Sequence, residues 1–191
     1  LRLANKNPKC FVVAGYAGSG KTTCSKYILK LYEQKFGHDA IACCALSGVA
    51  ANRIKNQSGY FAQTIHSLLG ANGTGFEHNE ANPISKKVIL LDEAAMVGVD
   101  IFYALLKAID FNKTTLILLG DPAQLAPVGA GNVFADVIKH NVVPTVTLDK
   151  IYRQDEKKGV AVIANQIRAG ITPSIGNSGF DDFHFLDQSI E

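Results

Sequence analysis

The chain has 191 residues, 47% of them hydrophobic and 19% charged, with a formal net charge of +2. Those values suit one globular α/β domain with a sizeable core, and the charge is too small to point to nucleic acid by itself. No apolar run approaches the roughly 18 residues of a membrane span, and residues 1–8 lack the apolar stretch of a secretory signal.

Along the chain, short apolar runs alternate with longer amphipathic stretches. Strands are predicted at 10–14, 40–45, 87–91, 115–119 and 143–148, with a last short one near 183–186. Helices are predicted at 21–36, 48–56, 100–109, 131–140 and 159–169. Runs such as Val88-Ile89-Leu90-Leu91 and Leu116-Ile117-Leu118-Leu119 are apolar on every residue. A strand of that kind must be buried on both faces, which is the property of a parallel sheet covered by helices on each side. The stretch 70–85 breaks the rhythm with Gly, Asn and polar residues and a Gly73-Thr74-Gly75 turn signal, and it reads as a surface loop or small hairpin. Of the four cysteines, Cys10, Cys43 and Cys44 fall in strand-like runs and Cys24 in a helix-like one. None forms a C-x-x-C pair, so they read as buried, reduced thiols of a cytoplasmic protein without a zinc site. Met96 is the one methionine, so the sequence is expected to be a piece of a longer protein.

The strongest chemical signal is Gly15-Tyr16-Ala17-Gly18-Ser19-Gly20-Lys21-Thr22, a G-x-x-x-x-G-K-[ST] sequence between a predicted strand and a predicted helix. Glycines at 15, 18 and 20 let the backbone curl so that N–H groups point inward. The helix starting near Lys21 adds its positive dipole end, so the loop is a cradle for a polyphosphate. Residues Gly15, Gly18, Ser19, Gly20, Lys21, Thr22 and Thr23 are its candidate contacts, with Lys21 reaching the β and γ phosphates of ATP and Thr22 offering its hydroxyl to Mg²⁺. Downstream, the run 88–91 ends in Asp92-Glu93. Two acids at the carboxyl end of a buried strand stand where open parallel sheets bind ligands. Asp92 is the candidate Mg²⁺ ligand, and Glu93 the group that orients or deprotonates an attacking water. The guanine-reading N-K-x-D sequence is absent, since Asn112-Lys113-Thr114-Thr115 lacks its acid.

Further segments carry a family resemblance. Ala45-Leu46-Ser47-Gly48-Val49-Ala50-Ala51-Asn52-Arg53 and Thr64-Ile65-His66-Ser67-Leu68-Leu69 follow the cradle. Gly120-Asp121-Pro122-Ala123-Gln124-Leu125-Ala126-Pro127-Val128-Gly129-Ala130-Gly131 and Leu148-Asp149-Lys150-Ile151-Tyr152-Arg153-Gln154 follow the acidic pair. In order and spacing they resemble motifs Ia, Ic, III and IV of superfamily 1B DNA helicases, RecD-like (the exodeoxyribonuclease V alpha-subunit type), with Dda-type helicases close. The resemblance runs from about residue 11 to 170. It implies an α/β P-loop NTPase fold, a RecA-like parallel sheet with helices on both faces, as a single ATPase domain over 1–191. A short 1B-like insert falls at about 70–86, and a second RecA-like domain, with motifs V and VI, is missing from this stretch.

The function so implied is an ATP-driven DNA helicase motor, moving 5′→3′, with weak activity expected of this piece alone. The other readings are a nucleotide-binding regulatory or assembly subunit of a nuclease complex, and an ATPase acting on RNA or protein. Single-stranded DNA, duplex junctions and nuclease-complex subunits are the implied partners. By resemblance Gln124 senses the γ-phosphate or attacking water, Arg153 contacts the γ-phosphate, and Tyr152 stacks on adenine unless it is a core residue. Ser47, Gly48, Thr64 and His66 match positions that touch the nucleic-acid backbone, and Phe76 in the insert presses on a terminal base pair or is an ordinary loop aromatic. Ser47 and Thr64 also stand before helix-like segments, where a hydroxyl caps the helix. Relatives commonly carry A-P-T-G-K-A-A in motif Ia; here Leu46 and Val49 replace the proline and lysine, and Arg53 or Lys55 is the candidate substitute cation.

Overall fold

The computed structural model describes residues 1–149, 159–173, 180, 182 and 183. A short helix α1 (Arg2–Asn5) leads to β1 (Cys10–Gly15), α2 (Lys21–Phe36), β2 (Ile41–Ala45) and α3 (Gly48–Ser58). Next come β3 (Ala62–Thr64), the one-turn helix α4 (Ile65–Leu68) and a two-strand hairpin of β4 (Ala71–Asn72) and β5 (Gly75–Phe76). The chain continues through β6 (Val88–Asp92), α5 (Val99–Lys107), β7 (Thr115–Gly120), α6 (Val133–Lys139), β8 (Thr145–Leu148) and α7 (Gly159–Arg168).

Six strands form one parallel sheet in the order β3-β2-β6-β7-β1-β8. Because side chains alternate across a strand, each buried strand feeds two cores. On one face Phe11, Val13, Cys43, Leu90 and Ile117 pack with Ile28, Leu29 and Tyr32 of α2 and Ala50, Ala51 and Ile54 of α3. On the other, Val12, Cys44, Ile89, Leu91 and Leu118 pack with Ile65 of α4, Phe102 and Leu105 of α5 and Phe134 of α6. The helices after β1 and β2 thus take one face, and those after β6 and β7 the other. Neighbours β1 and β7, like β2 and β6, send the chain to opposite faces, and the crevice opened at the carboxyl ends of such strands is where open sheets bind ligands.

Predicted and observed elements agree to within a few residues at their ends, as hydrogen-bond and pattern boundaries ordinarily do. The predicted strand at 143–148 starts at Thr145, and the predicted helix at 131–140 is shorter, Val133–Lys139. Strand β3 had no separate prediction, since three residues are too short to show a period, and the helix-like segment after Thr64 is the one-turn α4. The proposed last strand near 183–186 falls largely outside the described residues, and Phe183 itself is not in a strand. Within the 70–85 stretch the hairpin forms as anticipated, with Ala71 opposite Phe76 and Asn72 opposite Gly75. Asn72 Oδ1 accepts from the Thr74 amide at 3.1 Å and hydroxyl at 2.9 Å, closing the turn. Among the described residues no helix is long and apolar enough to cross a membrane.

Candidate nucleotide site

At the carboxyl ends of β1, β6 and β7 lies a cavity of about 350 Å³, lined among others by Gly18, Lys21, Thr22, Asp92, Glu93 and Gln124. Its floor is the loop between β1 and α2. Gly18 and Gly20 hold φ of +82° and +89°, the left-handed region that favours glycine. Gly15 is tight for another reason: a Cβ there would press on Ser19 Oγ and on Leu148 of the neighbouring strand β8. Ser19 is 3% exposed, and its hydroxyl has no hydrogen-bond partner among the described residues. A buried polar atom without a partner is costly unless something else meets it, and this one stands within the phosphate-cradle sequence. Lys21 Nζ donates to the carbonyls of Gly15 at 2.5 Å and Tyr16 at 3.0 Å, so the ammonium lies over the loop. No side chain caps the first turn of α2, whose 16-residue dipole ends at this loop.

The wall opposite is acidic. Asp92 ends β6, and its Oδ1 accepts from the Glu93 amide at 2.8 Å. Glu93 takes φ +54°, a left-handed conformation that costs a non-glycine residue roughly 1 kcal/mol. That backbone carries the chain out of the strand into a single tight turn, Ala94–Met96. Both carboxylates are mostly shielded, with 14% and 18% of their side-chain surfaces exposed. From β7, Asp121 is buried, and its Oδ1 accepts from the Ala123 amide at 2.9 Å. This bond folds the following turn and presents Gln124 to the cavity.

Sequence reasoning missed one member. Arg53 of α3, a candidate substitute for a missing strand-binding lysine, instead extends into the cavity. Its Nη2 lies 2.8 Å from Glu93 Oε1 and 3.7 Å from Asp92 Oδ2. Helix period supplied the signal: Arg53 sits three residues after Ala50, and its neighbour Ile54 faces the core, placing Arg53 at the edge of the buried stripe.

The donor set suits a hard divalent cation. Thr22 brings a hydroxyl and Asp92 a carboxylate to one cavity, and Mg²⁺ is held by one or two protein oxygens together with phosphate oxygens and water. Among the described residues no group of three or more His, Cys, Asp or Glu could hold a metal by itself, so that partial shell is the fitting one.

The residues matched to nucleic-acid contacts lie beside this cavity. In the sheet Ala45 pairs with Thr64 on one side and Asp92 on the other. Ser47 Oγ accepts from the Ala50 amide at 3.1 Å, and Thr64 Oγ1 accepts from the Ser67 amide at 3.1 Å, so each caps the helix that follows it. Gly48 opens α3, and His66 is exposed on α4. Phe76 is half-buried, packed on the core beneath the hairpin, with its ring 6.2 Å from that of His66. Tyr152 and Arg153 lie outside the described residues.

A family model described as an AAA domain matches residues 2–183. The ATP-dependent RecD2 DNA helicase of Deinococcus radiodurans is 34% identical over 166 residues, which cover 87% of this chain and 22% of that protein. The RecBCD enzyme subunit RecD of Mycobacterium tuberculosis H37Rv is 31% identical over 203 aligned residues, covering 92% of this chain and 35% of that one. The chain therefore spans about a quarter to a third of the length of these relatives. Among solved structures, Pif1 helicase from Candida albicans superposes with a TM-score of 0.66 at 23% identity, over 90% of this chain and 43% of that one. A Bacteroides Pif1 in complex with ADP-AlF3 and single-stranded DNA superposes with a TM-score of 0.56 at 21% identity, over 88% and 44%. At those identities the structures speak for the fold, a P-loop RecA-like sheet. The chain belongs to the AAA domain family and, within it, to the RecD-like branch of the superfamily 1B helicases, of which it carries the N-terminal RecA-like domain.

Proposed function

We propose that this domain binds and hydrolyses ATP as the motor half of a DNA helicase, and that single-stranded DNA is its track. The observation that carries the reading is the convergence of the cradle at 15–22, the acid pair Asp92-Glu93 and the Gln124 turn on one cavity. In this reading the loop amides, the first turn of α2 and Lys21 hold the β and γ phosphates. Lys21 exchanges its two loop carbonyls for phosphate oxygens, a stronger charge-assisted pairing. Ser19 gains a partner for its buried hydroxyl. Thr22 and Asp92 would hold Mg²⁺, which when bound neutralises phosphate charge. Glu93 accepts the proton of a water that attacks the γ-phosphorus, as the bond to the bridging oxygen breaks and ADP leaves. Gln124, on the turn after β7, senses the γ-phosphate, and Arg153 adds a cation to it.

Ser47, Gly48, Thr64 and His66 form the proposed backbone contacts of the strand. Two of them cap helices by accepting from a backbone amide, which leaves the hydroxyl's own O–H, in a fixed orientation, to donate to a phosphate oxygen. Phe76, held against the core, supports the hairpin from within; the 1B-like role of this insert at a duplex junction then falls to its exposed turn. Movement 5′→3′ and assembly with nuclease subunits are proposed from the RecD likeness.

The test is ATP turnover of the full-length protein with and without single-stranded DNA, in wild type and Lys21→Ala. Strand-stimulated turnover that disappears in Lys21→Ala, with unchanged circular dichroism, is the expected result. Indifference to DNA, or near-normal turnover of the variant, would overturn the reading.

A further inference from the structure

The cavity contains a second cation besides Lys21, and it points at the hydrolytic acid. Arg53 Nη2 donates to Glu93 Oε1 at 2.8 Å and lies 3.7 Å from Asp92 Oδ2. A carboxylate whose oxygen is engaged by a guanidinium has that oxygen occupied and is turned away from an incoming water. The same cation also competes for the oxygen of Asp92. Glu93 cannot escape by its backbone, which is fixed at φ +54° and tied to Asp92 Oδ1. Its side chain is therefore controlled from α3.

Helix α3 is also the element whose first turn carries the proposed strand contacts. Ser47 caps it, Gly48 opens it, and Arg53 follows Ser47 by six positions, about 9 Å along a helix. The helix rests on the sheet through Ala50, Ala51 and Ile54. A continuous hydrogen-bonded helix moves as a unit, so a shift imposed at Ser47 is carried to Arg53. The pair is also weak enough to be broken, since half of the Arg53 side chain is exposed, and ion pairs of that kind are readily exchanged for water or phosphate.

Resting on the motor reading above, we infer that Arg53 is a positioning residue: it latches Glu93 when no strand is bound and releases it when a strand seated at the start of α3 moves the helix. The latch lowers futile hydrolysis and makes turnover depend on DNA.

The experiment uses the full-length protein with Arg53→Ala, Arg53→Lys and Arg53→Gln. Steady-state ATP turnover is measured with and without single-stranded oligothymidylate, and affinity for a fluorescent ATP analogue is titrated separately without magnesium. Arg53→Ala is expected to raise strand-free turnover about two- to fivefold, the range of a half-exposed ion pair, and to lower the stimulation ratio by the same factor. Arg53→Lys, whose ammonium still reaches one carboxylate, should fall between, and nucleotide affinity should stay within about twofold. Unchanged strand-free turnover, or loss of turnover with weakened analogue binding in both Arg53→Ala and Arg53→Gln, overturns the latch. Wild-type turnover that ignores DNA would sink the motor reading instead, and the strand-free rates would still decide the latch. Should Arg53→Ala fail to fold, Arg53→Gln, which keeps length and polarity, gives the same comparison.

Discussion

Replacing Ser47 separates two roles that one hydroxyl is asked to fill. Its Oγ accepts from the Ala50 amide at 3.1 Å, and it is the N-cap of the 11-residue helix α3. Ser47→Ala removes that acceptor and should cost about 1 kcal/mol of stability, within the roughly 0.5–2 kcal/mol range of such caps. Ser47→Asp restores an equally good cap, and its charge suits the positive end of the helix, so stability should stay within about 0.5 kcal/mol of wild type. A phosphate seated there meets the opposite. A new negative charge about 4 Å from a phosphate in water is unfavourable by about 1 kcal/mol, a roughly fivefold loss of affinity. The assay pairs urea unfolding, compared at constant slope, with fluorescence anisotropy of a labelled oligothymidylate at fixed salt, because such affinities depend steeply on ionic strength. The expected pattern is crossed: Ser47→Ala is less stable and loses one hydroxyl contact to the strand, and Ser47→Asp is stable but binds more weakly still, because repulsion adds to the lost contact. Equal strand affinity for Ser47→Asp and wild type would remove Ser47 from the strand interface and leave it a cap alone. Full stability of Ser47→Ala would refute the capping argument.

Gly120 ends β7 directly under the ring of Phe134, and a Cβ there would stand 2.5 Å from Phe134 Cζ. Gly120→Ala should therefore cost about 1–3 kcal/mol through overpacking, and Phe134→Leu in the same chain should recover part of it; additive unfolding energies would contradict the contact. Burial pushes the Cys10 thiol up to about 11 and the Cys43 thiol up to about 12, from 9.0. Their contribution to stability is then complete below about pH 9, where unfolded thiols stay protonated, and declines as pH rises towards those folded values. Thiol labelling near pH 8 should be much slower in the folded protein than in urea, and equal rates would mean these cysteines are not buried. Gln124→Ala should leave nucleotide affinity within about twofold and reduce stimulation by DNA. Retention of full stimulation would remove Gln124 from the sensing role.

The sheet and the cradle were legible because their physics is local. Val88-Ile89-Leu90-Leu91 is apolar at every position, and such a run has few homes other than a strand covered on both sides. The cradle carries its own geometry in Gly18, Gly20 and Lys21, which must curl before a helix in any context. Thr64 and Ser47 read equally well as caps and as strand contacts, because a hydroxyl before a helix serves either purpose, and the structure assigns the cap without removing the other. Phe76 reads either as a wedge on a terminal base pair or as an ordinary loop aromatic, because its loop is polar; the hairpin folds the ring back onto the core. Arg53 was mislaid for a different reason. Its partners, Asp92 and Glu93, are some forty residues away in the chain, and their proximity is created by the register that sets Ala45 beside Asp92. Helix period places Arg53 at the edge of the buried stripe, but it does not name the partner that the sheet register brings there.

Helices α2 and α3 share one face of the sheet but meet it with different surfaces, and that difference bears on how a strand seated at α3 would act on the cavity. Helix α2 packs through Ile28, Leu29 and Tyr32, and the Tyr32 hydroxyl donates to the Ala4 carbonyl at 3.3 Å. Large side chains interlocked with the strands resist sliding, because every displacement opens voids that forfeit contacts. Helix α3 meets the sheet with two alanines and one isoleucine, so its surface is shallow and its backbone lies close on the strands. The phosphate cradle leads into α2, and the acid proposed to activate the attacking water is tethered by Arg53 to α3. That arrangement suits the proposed motor, in which the nucleotide is held at α2 while the strand is registered at α3. Strands β2 and β6 are locked side by side in register, so the relative motion available between the strand contacts and Glu93 is that of α3 over the sheet, and Arg53 is the side chain that would convert it into a change at the hydrolytic carboxylate.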